Sequence, residues 1–179
     1  MNLTNAPIEY EHFIYNGVEK LSNNITFTSE FLSEMLSYGR IRAFFFNYVD
    51  YCLWKGSALK KAHQTDFKFS ANKSIEHFSP QTPKANELLN TNALHSFGNL
   101  CLLVSSDNSS LSNDGPEQKA KILNARRKIM APLSLKLELM LEQVDAWSKS
   151  AEESAITIQE HETQVFKILT DNLNLSIDA

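Results

Sequence analysis

The chain has 179 residues, 42% of them hydrophobic and 21% charged. These proportions fit one globular domain with a sizeable core and exclude an intrinsically disordered chain. The formal net charge of -4 excludes a strongly basic protein that holds nucleic acid by charge alone, because nonspecific affinity comes from cations that neutralise phosphates. The clusters Arg126-Arg127-Lys128, Lys119 with Lys121, and Lys68 with Lys73 are the local exceptions. Cys52 and Cys101 each fall in an apolar run and read as buried free thiols. Met1 to Asn5 has neither the basic start nor the apolar run of a secretory signal, and Ala43 to Trp54 is too short to span a bilayer. A cytoplasmic protein is the expectation.

In residues 1–27, Ile8, Tyr10, Phe13, Ile14 and Val18 suit a short helix ending near Gly17, or a packing arm. Thr28 is a predicted N-cap, with Glu30 in the first turn and Phe31, Leu32, Met35 and Leu36 on one face. Gly39 ends or bends that helix. Ile41, Phe44, Phe45, Tyr48, Val49, Cys52 and Leu53 recur as one helical face up to Gly56, a stripe that reads as core. Ser57 to Asn72 reads as a polar loop or an irregular helix end, with a short strand at Phe67 and Phe69 and a surface histidine at His63. Lys73 to Phe78 is a predicted strand ended by Pro80. Gln81 to Ala93 is a long polar connection with a short helix around Glu87 to Leu89; long ordered loops are usually functional. Leu100 to Val104 is a continuous apolar run, hence a strand buried on both faces. A turn over Ser105 to Asn108 leads to a helix starting at Asn108 or Ser109. Asn113-Asp114-Gly115-Pro116 ends it, and Pro116 opens a helix over about Glu117 to Met130. Leu133, Leu135, Leu137 and Leu139 alternate as in a strand, whereas Leu139, Met140, Val144 and Trp147 have helical spacing. Ala151 to Leu173 forms the last helix, with Ile158, His161, Val165, Ile168 and Leu169 on one face.

The chemistry concentrates between residues 74 and 113. Glu76 and His77 stand side by side at the end of an apolar run, Asn99 precedes a second run, and Asn108 follows it. That order suits a metal-dependent phosphodiesterase. Carboxylate and amide oxygens can hold a hard divalent cation, and His77 can take the proton from an attacking water as general base. Adjacent strand residues point to opposite faces, so Glu76 and His77 can share a cleft only at a strand end or a bulge. Without a CxxC pair the zinc-stapled form of such a fold is excluded.

The segments Ile75-Glu76-His77-Phe78-Ser79-Pro80-Gln81, Leu94-His95-Ser96-Phe97-Gly98-Asn99-Leu100 and Asn108-Ser109-Ser110-Leu111-Ser112-Asn113, with Lys119 beyond, resemble the HNH, or ββα-metal, nucleases. They are most similar to the HNH-type domain at the C-terminus of GmrSD-type modification-dependent restriction proteins and their phage-defence relatives. The resemblance runs from about Phe31 to Leu169, taking in Ile41 to Tyr48 upstream, and Ser134 to Leu137, Met140, Trp147 and His161 downstream.

The resemblance implies an α+β, mainly α-helical fold. A ββα-metal (HNH) hairpin-helix unit at 73–115 would be flanked by an N-terminal helical part at 1–72 and C-terminal helices at 116–179, all in one domain. It favours helix over strand from about Leu133. It implies Mg2+ or Mn2+ held by Glu76 and Asn108, with Asn113 as the alternative ligand. Asn108 competes with its own use as an N-cap. Asn99 matches the middle asparagine, expected to fix the loop and orient His77 through backbone hydrogen bonds, and Gly98 before it permits a tight backbone approach. Lys119 is implied as a phosphate contact, while physics alone reads it as a surface lysine. His95 reads as a supporting or surface residue and His161 as a satisfied core histidine. The family's sensing part, normally N-terminal, is absent from this sequence, so a partner subunit or a missing N-terminal domain is expected to supply recognition and activation. The expected function is cleavage of DNA phosphodiesters in restriction or phage defence, with RNA left open. The competing expectation is a catalytically silent nuclease-like module that binds nucleic acid or protein in a defence complex. A helical interaction protein with no hairpin between Ser74 and Val104 is the third.

Overall fold

A four-residue strand, Leu100–Leu103, lies at the centre of the molecule with every residue buried. The computed structural model describes residues 27–56, 66–69, 73–84, 88–104, 111, 113–147, 150–173 and 177–178. The arm expected within 1–26, His63 and Asn108 lie outside the described residues. Of the helix expected to begin at Asn108 or Ser109, Leu111 is described, in helical backbone and buried. The element order is β1 (Phe27–Thr28), α1 (Ser29–Met35), α2 (Ala43–Lys55), β2 (Ser74–His77), α3 (Thr91–His95), a 3-10 turn (Phe97–Asn99), β3 (Leu100–Leu103), α4 (Pro116–Arg127), α5 (Leu135–Glu142), α6 (Val144–Trp147), α7 (Ala151–Leu173) and β4 (Ile177–Asp178). The protein is thus mainly helical, of the α+β class. β2 and β3 pair antiparallel, with Ser74 opposite Leu103 and His77 opposite Leu100. β1 and β4 pair in parallel over two residues. Among the described residues no helix is long and apolar enough to cross a membrane.

β3 works as a divider. Leu100 and Leu102 face a core built from α2, α5 and α7, with Phe46, Val49, Leu53, Leu135, Leu139 and Val165. Cys101 and Leu103 face a second core with Phe78, Leu123, Leu137, Met140 and Trp147. Period-two alternation sends successive residues to opposite sides, so a strand between two cores must be apolar throughout. Both cysteines are free and buried, as expected from their apolar surroundings.

The same division explains α5. Its residues 135–141 are all buried, Leu135 and Leu139 against one core and Leu137 and Met140 against the other. The leucines that alternate like a strand belong to a helix that is covered all round. Ser134 caps it, its Oγ accepting the Leu137 N–H at 3.4 Å.

Other elements follow from local chemistry. Thr28 Oγ1 accepts the Phe31 N–H at 3.2 Å and starts α1, and Gly39, with φ of 87°, turns the chain toward α2. Left-handed backbone of that kind suits a residue without Cβ. Pro116 stands in the first turn of α4. Two expectations need correction. Phe67 and Phe69 lie in irregular backbone, their rings in edge contact 4.8 Å apart, with Phe67 buried in the first core. Of the short helix expected around Glu87 to Leu89, Glu87 lies outside the described residues and Leu88 and Leu89 are irregular; a helix begins after Asn90, whose Oδ1 accepts the Ala93 N–H at 2.9 Å.

Candidate active site

His77 is the last paired residue of β2. The register from Ser74 to His77 contains no bulge, so the strand end, not a bulge, lets neighbouring residues reach one cleft. Glu76 lies opposite Cys101 on the side of the second core, and His77 lies opposite Leu100 on the other side. Just past the last pair a small polar cavity of about 150 Å³ takes in both. Its lining includes Tyr38, Glu76, His77, Gln81, Asn113 and Lys119.

The backbone beyond His77 is locked by Asn99. Its Oδ1 accepts the Ser79 N–H at 2.8 Å, and its Nδ2 donates to Ser79 O at 3.1 Å and Leu94 O at 2.9 Å. Its main-chain carbonyl accepts the Phe78 N–H at 2.8 Å. Asn99 is fully buried, and its amide works as a clamp on the loop after β2, tying that loop to the end of α3. Gly98 beside it sits against α7 so closely that a Cβ there would lie 2.1 Å from Ile158 O. Glu162 of α7 accepts the Phe97 N–H at 2.9 Å, and Lys136 of α5 donates to Leu100 O at 2.6 Å. The 3-10 turn that carries Asn99 is therefore held by two buried charged side chains from different helices.

Lys119 is neither at the surface nor extended toward solvent. It is 2% exposed, and its Nζ donates to His77 O at 2.6 Å and Phe78 O at 3.0 Å. An ammonium has three donors, and these bonds use two of them on the backbone of the strand end. Burial pushes the Lys119 pKa down, opposed by the charges of Cys101, Glu76 and Asp114.

Burial, then the neighbouring His95 and the Lys119 charge, lower the His77 pKa to about 4. The imidazole is therefore neutral at physiological pH, with a lone pair available to accept a proton. His77 Nε2 lies 3.1 Å from His95 Nδ1 and 3.5 Å from Gln81 Nε2, and the Tyr38 ring packs against it at 4.3 Å.

Among the described residues no three His, Cys, Asp or Glu side chains cluster as a metal cage. A different donor set is present: the carboxylate of Glu76 and the amide of Asn113 line the same polar cavity. Two protein oxygens are the kind of donor set that a hard cation accepts while keeping most of its shell for water and phosphate. Asn108, the first choice from sequence, lies outside the described residues.

His95, read from sequence as a supporting or surface residue, lies against His77, and the sequence reading gave no site role to Tyr38 or Gln81. Their one available signal was position, since His95 stands four residues before Asn99 in the same segment. On its other side His95 borders a groove of about 850 Å³ between α1, α3 and α7. His161 is 1% exposed, edge-on to Trp147 at 5.3 Å, and does not line the cavity.

Residues 24–157 match the family described as GmrSD restriction endonucleases, C-terminal domain. That span is most of the chain, and the protein belongs to this family, which ties it to restriction endonucleases. No curated protein and no solved structure matches it.

Proposed function

We propose that this domain is a metal-dependent HNH endonuclease that hydrolyses DNA phosphodiester bonds in restriction or phage defence. The observation that carries this reading is a neutral histidine at a strand end, sharing one small polar cavity with a carboxylate and an amide. In this reading β2, β3 and the segment around Asn108 form the ββα unit.

His77 accepts the proton of the attacking water, and its neutral state gives it the lone pair to do so. Glu76, with Asn108 or Asn113, holds one Mg2+ or Mn2+, which when bound stabilises negative charge at the scissile phosphate and leaving oxygen. Asn99 and Lys119 fix the backbone that carries His77, and Lys119 adds positive charge at the cavity wall. Glu30, Glu34 and Glu162 line the groove beyond His95, which disfavours phosphate there. The nucleic acid therefore approaches from the side of Gln81, Thr82 and Asn113. The acidic balance of the chain leaves delivery to substrate to a partner subunit or additional domain.

The test is nicking of supercoiled plasmid, and of a matched RNA, with Mg2+, Mn2+ or EDTA. Cutting that requires metal and that Glu76→Gln lowers supports the reading. Cutting that persists undiminished in EDTA would overturn it. Mn2+ binding with no cutting of either nucleic acid would favour the silent module.

A further inference from the structure

The two imidazoles at the cavity are built as a pair. His77 ends β2 and His95 ends α3, yet both segments are tied to one side chain. Asn99 grips the His77 loop through Ser79 and the His95 helix through Leu94 O. His77 Nε2 and His95 Nδ1 face each other at 3.1 Å, with the rings at 68°. Tyr38 covers both, 4.3 Å from the His77 ring and stacked 5.7 Å from the His95 ring. The Tyr38 N–H in turn donates to His95 O at 2.9 Å. A hydrogen bond between two imidazole nitrogens needs one that carries a hydrogen and one that is bare. The tautomer of either ring therefore dictates the tautomer of the other.

We propose that His95 is a positioning residue for the reaction: through its Nδ1 it fixes the ring orientation and tautomer of His77. This rests on His77 being the general base. His95 itself touches neither water nor phosphate in this role. It decides which His77 nitrogen carries the hydrogen and which presents the lone pair. Partners that orient a metal-ligating imidazole through its other nitrogen typically change activity by about 10- to 100-fold when removed, and a loss of that order is expected here.

The test combines imidazole 15N spectra of the full chain at neutral pH with steady-state cleavage. In the wild type, His77 Nε2 and His95 Nδ1 are expected in complementary states, one protonated and one bare. Finding both protonated or both bare would overturn the pairing without any variant. His95→Phe keeps a ring beneath Tyr38 but removes the nitrogen. It is expected to shift or average the His77 tautomer and to lower kcat about 10- to 100-fold with KM little changed. His95→Asn, which returns a polar group near the Nδ1 position, is expected to recover most of the rate and the wild-type His77 signals. A His77 spectrum and a kcat both unchanged in His95→Phe would sink the proposal. Failure of the wild type to cut would count against the nuclease reading, while the spectra would still decide the pairing.

Discussion

Two buried lysines hold the two site-facing ends of the β2–β3 pair, in different surroundings. Lys136 of α5 donates to Leu100 O at the start of β3, and the faces of Phe97 and Phe46 lie 5.0 and 6.0 Å from its Nζ. Burial lowers its pKa to about 7, opposed by the neighbouring Cys101, Asp50 and Glu162. Lys119 of α4 makes the equivalent bonds to His77 and Phe78 at the end of β2, but it also lines the polar cavity beside Glu76. The same group does the same local work twice. One copy is sealed in the core, and the other forms a wall of the candidate site. Backbone support and site chemistry coincide only at Lys119.

The severest way to break the sealed side is Gly98→Ala. The new Cβ would meet Ile158 O of α7, which is backbone and cannot swing away. A loss of about 3 kcal/mol or more is expected in denaturant unfolding, with activity lost alongside. Lys136→Met and Lys119→Met sharpen the comparison. Each leaves strand-end carbonyls without their donor, costing about 1–3 kcal/mol in the same assay. They should part company in cleavage: at conditions where both are folded, Lys136→Met stays near wild type and Lys119→Met falls well below it. Equal activities would mean that Lys119 is scaffold alone.

A smaller effect is expected in pH dependence. The Lys136 folded pKa lies near 7, below its ordinary 10.5, so the unfolded chain binds more protons between those values. Stability from this group is lost as pH falls toward 7 and recovered as pH rises. Its slope is at most about 1.4 kcal/mol per pH unit. Measured between pH 7 and 8, below the ordinary cysteine pKa of about 8.5, the slope should shrink in Lys136→Met. Smallest of all, Lys167→Ala removes an exposed ion pair with Asp171 at 3.6 Å and should change stability by no more than about 0.5 kcal/mol.

Thr28 as a cap, the two-sided burial of β3 and the burial of His161 were legible from local pattern. The α2 face was legible in the main, but its Phe44 is exposed while Phe46, outside the expected stripe, is fully buried. The His161 ring nitrogens are buried without the hydrogen bonds expected of them among the described residues. The α5 leucines were ambiguous by pattern alone, because alternation has two causes, a strand's pleat or a helix wedged between two cores. The family resemblance, not the pattern, favoured the helix that the structure has. Lys119 and Lys136 were unreadable as buried groups. Their partners are main-chain carbonyls, which every residue possesses and which leave no mark in a sequence. Asn99 was legible as a loop anchor through the family pattern. Its grip on Leu94 O, which brings His95 to His77, was not.

The most direct test of the central claim, a general base presented by a prebuilt strand end, is plasmid nicking by His77→Ala beside the wild type in Mg2+ and in Mn2+, with thermal unfolding of both. The account predicts loss of cleavage by at least about 100-fold, with the variant still folding cooperatively. A folded His77→Ala protein that cuts like the wild type would contradict it.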